Sequence, residues 1–287
     1  MIGFITCHRM RIVDKYLQGS RQLKPLDSVL LTDDVFELVK SIRGNGPELI
    51  TSVHPDDEMY LFFITHPDHK DFPLRSYFSS GAGMLQNLQE ILLKTGLSLE
   101  NVGTFLEFAC GYGRFTRHLV RYLDPGKITV SDVYRDAVDF QKRSFGVNGF
   151  YSESDPGKLT IPGTYEVIFV ASLFSHLPMK TWRPWLNKLY NSLTDNGILI
   201  FSTHGPSCMA EPGKMPGPGF LYCKMSESRS LSLEDYGTTY VTNDFVSLAV
   251  KDETGQPVLL EIPKGLWNYQ DVYVVKRSNP MLTQSVP

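Results

Sequence analysis

The chain has 287 residues, a formal net charge of −3, 42% hydrophobic and 21% charged residues, which are ordinary globular proportions. That charge gives no electrostatic footprint for nucleic acid, and no apolar run reaches membrane-spanning length. The four cysteines (Cys7, Cys110, Cys208, Cys223) lack metal-type spacing. Cys208 and Cys223 can be bridged in principle, but reduced thiols are the better reading. The start, Met1-Ile-Gly-Phe-Ile-Thr-Cys-His-Arg9, is too soon interrupted for a signal peptide, so a soluble cytoplasmic protein is expected.

Residues 1–75 are the least readable. Val35, Leu38, Val39 and Ile42 share a helical face that Gly44 stops. Met59 to Ile64 is apolar but short. The region reads as a cap over the remainder or as an arm. His54-Pro-Asp-Asp-Glu58 and His66-Pro-Asp-His69 resemble two zinc signatures of sugar N-deacetylases, but only a short apolar stretch separates them. Proline-led surface turns account for them better, and no metal is expected.

From Gly83 to Leu97 the pattern is an amphipathic helix built on Met84, Leu85, Leu88, Ile91 and Leu92. A buried strand follows at Phe105, Leu106 and Phe108. Gly111 and Gly113 form a turn, and Phe115, His118, Leu119, Tyr122 and Leu123 recur at helical spacing. A strand entering a helix through such a turn presents free backbone N–H groups to a ligand. A dinucleotide fingerprint requires a third Gly or Ala where this chain has Thr116. Glu107 would also repel a pyrophosphate, whereas it suits a ligand carrying positive charge.

Asp124-Pro-Gly126 then breaks the helix, and Lys127-Ile-Thr-Val-Ser-Asp132 is a strand ending in an acid, about 20 residues after the turn. Tyr165 to Ala171 is a further buried strand. Thr181 to Leu193 is a helix that accommodates Pro184 in its first turn, and Leu193-Thr-Asp-Asn-Gly197 turns into the strand Ile198 to Thr203. Residues 205–240 are a proline- and glycine-rich excursion with a strand at Gly219 to Lys224. A helix at Asp244 to Lys251 and strands at Pro257 to Ile262 and Asp271 to Lys276 complete the chain.

Leu106-Glu-Phe-Ala-Cys-Gly-Tyr-Gly-Arg114, Asp132, the strand before Ser172-Leu-Phe-Ser-His-Leu-Pro178 and the strand after Gly197 resemble, in order, the motifs of class I S-adenosylmethionine-dependent methyltransferases of the small-molecule type. The resemblance covers roughly residues 75 to 277. It implies an α/β, Rossmann-like, seven-stranded, mostly parallel sheet with helices on both faces and an antiparallel last strand. The methyltransferase domain would span residues 76–287. The implied reaction moves a methyl group from S-adenosyl-L-methionine to a small-molecule acceptor, releasing S-adenosyl-L-homocysteine, with oxygen ahead of nitrogen as the acceptor atom. On the same resemblance Glu107, Phe108, Ala109, Gly111 and Gly113 line the methionine side, and Arg114 reaches its carboxylate or only pairs locally. Asp132 takes the ribose hydroxyls, and Val133 and Tyr134 flank the adenine. Ser152, Glu153 or Asp155 approaches the adenine amino group, Ala171 and Ser172 close the fourth strand, and Tyr77 and Phe78 either come from a segment folded over the cofactor or pack ordinarily. His176 is read either as a base or substrate contact or as a structural hydrogen bond. For His204, local bonding is favoured over catalysis. Trp267, Tyr269 and Gln270 are read as closing the sheet, and Glu166 as a surface position. A nicotinamide-dependent oxidoreductase and a non-catalytic S-adenosylmethionine-binding protein remain as alternatives.

Overall fold

The computed structural model describes residues 48–278 except 212, 213, 227 and 229. The helix expected around Val35 to Ile42 lies outside them, as does Cys7. Two helices lead in: α1 (Glu58–Thr65) and α2 (Pro73–Lys94). An alternating series follows: β1 (Phe105–Phe108), the short α3 (Thr116–Leu119), β2 (Ile128–Asp132), α4 (Arg135–Phe145), β3 (Asn148–Tyr151), β4 (Tyr165–Val170), α5 (Met179–Asn191) and β5 (Leu193–Thr203). A hairpin of β6 (Phe220–Cys223) and β7 (Thr238–Val241) precedes α6 (Asn243–Thr254), β8 (Leu260–Leu266) and β9 (Gln270–Lys276).

The seven-stranded sheet has the order β3-β2-β1-β4-β5-β9-β8. The first five strands pair parallel, and β9 lies antiparallel between β5 and β8, so β9 alone is reversed. Strands buried on both faces read as continuous apolar runs. Their side chains separate with the period of two. Phe105, Val167, Phe169, Ile198, Ile200, Val272 and Val274 pack with α2 on one face. Leu106, Phe108, Ile168, Val170, Leu199, Phe201, Tyr273 and Val275 pack with α5 and α6 on the other. The order reverses between β1 and β4, which opens a crevice at their carboxyl ends.

Several elements depart from the expectations. α2 begins at Pro73, ten residues before the expected start at Gly83, and runs through the boundary placed at residue 75. The earlier turns are held by Leu74, Tyr77 and Phe78, which form a separate core with Tyr60 and Phe63 of α1. α3 stops at Leu119, leaving Tyr122 41% exposed despite its spacing. α5 starts at Met179, so Pro184 lies beyond the first turn and removes the N–H that would reach the Lys180 carbonyl. β7 was not foreseen. It pairs with β6 inside the excursion, and Tyr240 bridges to His204 at the end of β5. Glu166 is exposed, as expected, and accepts the Gly103 N–H at 2.7 Å.

Gly81 sets how closely α2 approaches the glycine turn. A Cβ there would lie 2.0 Å from the Arg114 carbonyl oxygen, a backbone atom that cannot swing aside. Alanine improves helix propensity by about 1 kcal/mol, but overpacking of a rigid contact costs about 1–3 kcal/mol. Gly81→Ala is therefore expected to lower the urea midpoint. A raised midpoint would contradict this packing.

Candidate functional site

A cavity of about 300 Å³ occupies the crevice beyond the ends of β1, β2 and β4. Its floor is the glycine turn. Gly111 adopts φ +53°, and a Cβ built there meets nothing within 4 Å. Gly113 adopts φ +83° but is needed for a different reason, because a Cβ would lie 2.3 Å from Phe145 of α4. Gly113 does not border the cavity, contrary to expectation; it lets α4 close on the turn. Two non-glycine residues of the cavity wall also take left-handed backbone, Ala109 at φ +60° after β1 and Ser172 at φ +65° after β4. Each such residue costs roughly 1–2 kcal/mol, and strain of this kind gathers at functional sites.

Asp132 sits at the end of β2, 6% exposed. Its Oδ2 accepts the Gly111 N–H at 2.8 Å and its Oδ1 the Tyr134 N–H at 3.0 Å. Burial raises its pKa, and these backbone donors oppose the rise. Glu107, pointing from β1, is 5% exposed and accepts from the Thr116 hydroxyl at 2.5 Å. Burial pushes its carboxyl up to about 8; the Asp132 charge adds to the shift, while the Thr116 bond and Arg114 oppose it. Thr116, in the position of the fingerprint's third glycine, is therefore the donor to the buried acid. Arg114 borders the cavity, donates to the Ser80 hydroxyl at 3.3 Å and lies 4.8 Å over the Trp267 ring.

Phe108, Val133, Tyr134, Ser152, Glu153 and Ala171 also border the cavity. Gln270 donates to the Ser172 hydroxyl at 2.8 Å and accepts from Ser202 at 2.7 Å, so it braces the β4 end as well as closing the sheet. The roof comes from sequence-distant segments: Asp57, Glu58 and Met59 at the start of α1, and Ser228, Ser230, Leu231 and Tyr236 from the excursion. Tyr134 joins the two. Its hydroxyl donates to Glu58 at 3.2 Å, accepts from Ser230 at 2.8 Å and lies 2.9 Å from the Ser228 hydroxyl.

Besides Gly113, three expected site residues stand off the cavity wall. Tyr77 is fully buried and donates to Asp57 at 2.5 Å, because α2 carries it into the core with α1. His176 is stacked on Tyr236 with ring centroids 4.5 Å apart, and its Nδ1 donates to the Gly237 carbonyl at 2.6 Å. His204 is turned toward Gln270, at 3.2 Å, and burial lowers its pKa to about 3, with His176 adding to the shift. The structural reading of both histidines is the one this geometry supports. Asp57 and Glu58 lie in the stretch whose sequence suggests a proline-led surface turn, yet an aspartate before an apolar run is also an N-cap pattern, and Asp57 caps α1.

Residues 106–199 match the methyltransferase domain family model. The segment runs from β1 into β5 and holds the glycine turn, Glu107 and Asp132. Over that third of the chain the protein is similar to methyltransferase domains. Two curated relatives, both named malonyl-[acyl-carrier protein] O-methyltransferase, come from Calditerrivibrio nitroreducens and Bacteroides fragilis. The first is 25% identical over 146 residues, covering 50% of this chain and 55% of the relative. The second is 25% identical over 160 residues, covering 55% of this chain and 32% of the relative. The chain thus spans about half the length of the first and a third of the second. Among solved structures, Streptomyces venezuelae DesVI superposes with a TM-score of 0.53 at 10% identity, over 79% of this chain and all of that one. An S-adenosylmethionine-dependent methyltransferase from Clostridium acetobutylicum gives 0.50 at 13% identity, over 69% and 92%. These two show the shared fold of the methyltransferase domain.

Glu107 makes stability depend on pH. Its folded pKa lies above the ordinary carboxylate value, so the folded chain holds an extra proton between about pH 4.5 and 8. The group's contribution is complete below that window and declines as pH rises through it. Without ligand, wild type is expected to lose more urea stability between pH 5 and pH 8 than Glu107→Gln does. Equal losses would show that Glu107 does not titrate there.

Proposed function

We propose that the chain binds S-adenosylmethionine in the cavity and transfers its methyl group to a small-molecule acceptor, with oxygen ahead of nitrogen as the accepting atom. The observation that carries the reading is one cavity holding a Gly111 whose Cβ direction is open, the buried Glu107 and the strand-end Asp132. An adenosyl sulfonium amino acid has no phosphate and carries positive charge, which fits a floor with two buried carboxylates. It does not suit the pyrophosphate of a nicotinamide cofactor.

In this reading Gly111 and Ala109 let the backbone approach the ligand, and Asp132 accepts from the ribose hydroxyls on lone pairs its backbone donors leave free. Val133, Tyr134 and Ala171 flank the adenine, and Ser152 and Glu153 stand where its amino group would lie. Phe108 and Ser172 close the wall, and Arg114 and Glu107 face the amino-acid end. The bound cofactor supplies an electrophilic methyl carbon. The chain's work is then alignment of donor and acceptor and exclusion of water. The roof from α1 and the excursion suits that work, and we assign the N-terminal segment of residues 48–75 to the role of cap. Leu173, Leu231 and Tyr236 form the part of the wall left for an acceptor. The names of the curated relatives support oxygen.

Asp132→Ala is expected to reduce S-adenosylhomocysteine affinity at least tenfold by calorimetry, the loss of about one charge-assisted hydrogen bond or more. Unchanged affinity would remove the ribose assignment. Incubating the protein and S-adenosylmethionine with metabolite pools and with malonyl thioesters should yield a product one methyl heavier. Binding of NAD in place of S-adenosylhomocysteine would overturn the reading.

A further inference from the structure

Asp57 is one of three carboxylates, with Glu58 and Asp235, that reach the cavity wall from segments remote from the glycine turn. Asp57 is 2% exposed and caps α1, its Oδ1 accepting the N–H groups of Met59 at 3.0 Å and Tyr60 at 3.1 Å. Capping alone does not call for a charge, since serine or asparagine caps as well. Yet the second oxygen is anchored too. Oδ2 accepts the Tyr77 hydroxyl, and that hydroxyl accepts from Arg117 Nη2 at 3.3 Å. Arg117 is fully buried against the Tyr77, Phe78 and Phe145 rings. Its Nε donates to the Gly113 carbonyl at 2.9 Å, and its Nη1 donates to the Ile50 and Ser52 carbonyls, each at 2.9 Å. A continuous set of hydrogen bonds therefore runs from the glycine turn through Arg117 and Tyr77 to Asp57. Through Ile50 and Ser52 the same guanidinium fixes the segment that carries Asp57.

Buried ionic sets of this kind add little to stability compared with apolar packing, so stability alone is a weak reason for one. The placement of Asp57 supplies another. Arg114, Asp57 and Glu107 all border the cavity. Burial lowers the Arg114 pKa, and Tyr77, Asp57 and Glu107 counteract the fall. An α-amino acid group matches this set, its carboxylate toward Arg114 and its ammonium toward the acids. After the Tyr77 bond, Asp57 Oδ2 retains an acceptor direction.

We infer that Asp57 reads the amino-acid end of the cofactor, with Tyr77 and Arg117 as its positioning residues. The inference rests on the cofactor reading above. It makes the N-terminal segment part of the binding site, where a passive cover would only shield it.

The test compares two probes by calorimetry on the full chain: S-adenosylhomocysteine, and 5′-deoxy-5′-methylthioadenosine, which keeps the nucleoside and sulfur but lacks the amino-acid group. Asp57→Asn keeps a capping oxygen and removes the charge. It is expected to weaken S-adenosylhomocysteine at least tenfold and to leave methylthioadenosine within about twofold. Tyr77→Phe should show the same selectivity with a smaller loss. If Asp57→Asn fails to fold by circular dichroism, Tyr77→Phe carries the comparison alone. Equal weakening of both probes would reduce Asp57 to a structural role, and no weakening of either would remove it from the site. Wild type that binds neither probe would sink the cofactor reading itself, and the inference with it.

Discussion

The structure turns on the Asp132 carboxylate. Its two oxygens take the N–H groups of Gly111 and Tyr134, one from each turn that follows β1 and β2. Parallel neighbouring strands both end at the crevice, where Gln141 and Arg117 donate to the Gly111 and Gly113 carbonyls. The Asp132 side chain adds two acceptors on a rigid plane. It fixes the glycine turn, and it also fixes Tyr134, whose hydroxyl gathers Glu58 from α1 and Ser228 and Ser230 from the excursion. Floor and roof are thus referred to one carboxylate, and burial keeps that arrangement away from competing water.

Glu107 gives the same region a different electrostatic character. Burial is the main cause of the rise in the Glu107 pKa, and the charge of Asp132 adds to it, while the Thr116 hydroxyl and Arg114 oppose it. A cationic ligand relieves that tension, while a phosphate would deepen it. The choice between cofactor classes is therefore written in the charge of the floor as much as in the spacing of its glycines.

The sheet was readable because its signals are local. Val167 to Val170 and Ile198 to Phe201 are unbroken apolar runs, and Asp124-Pro-Gly126 marks a helix end without reference to anything distant. The floor residues were readable for the same reason, each lying within a few positions of a strand end. What escaped depends on contacts between remote segments. The start of α2 is set by Tyr77 and Phe78 packing on α1, a core that neither helix shows alone. β7 exists through its pairing with β6 and its bridge to His204. His176 and His204 sit at the expected rim, yet Gly237 and Gln270 turn them from the cavity. Position along a strand is local, whereas side-chain direction at its end is decided by the loop that covers it.

Thr116 and Glu107 constrain each other's identity. A dinucleotide-binding turn has a small residue at the place of Thr116, yet such a replacement here would leave a buried carboxyl with no hydroxyl to satisfy it. Removing the acid first would strand the hydroxyl in the same way. Thr116 and Glu107 therefore behave as one unit, and a change at either position leaves the other with an unmet hydrogen bond.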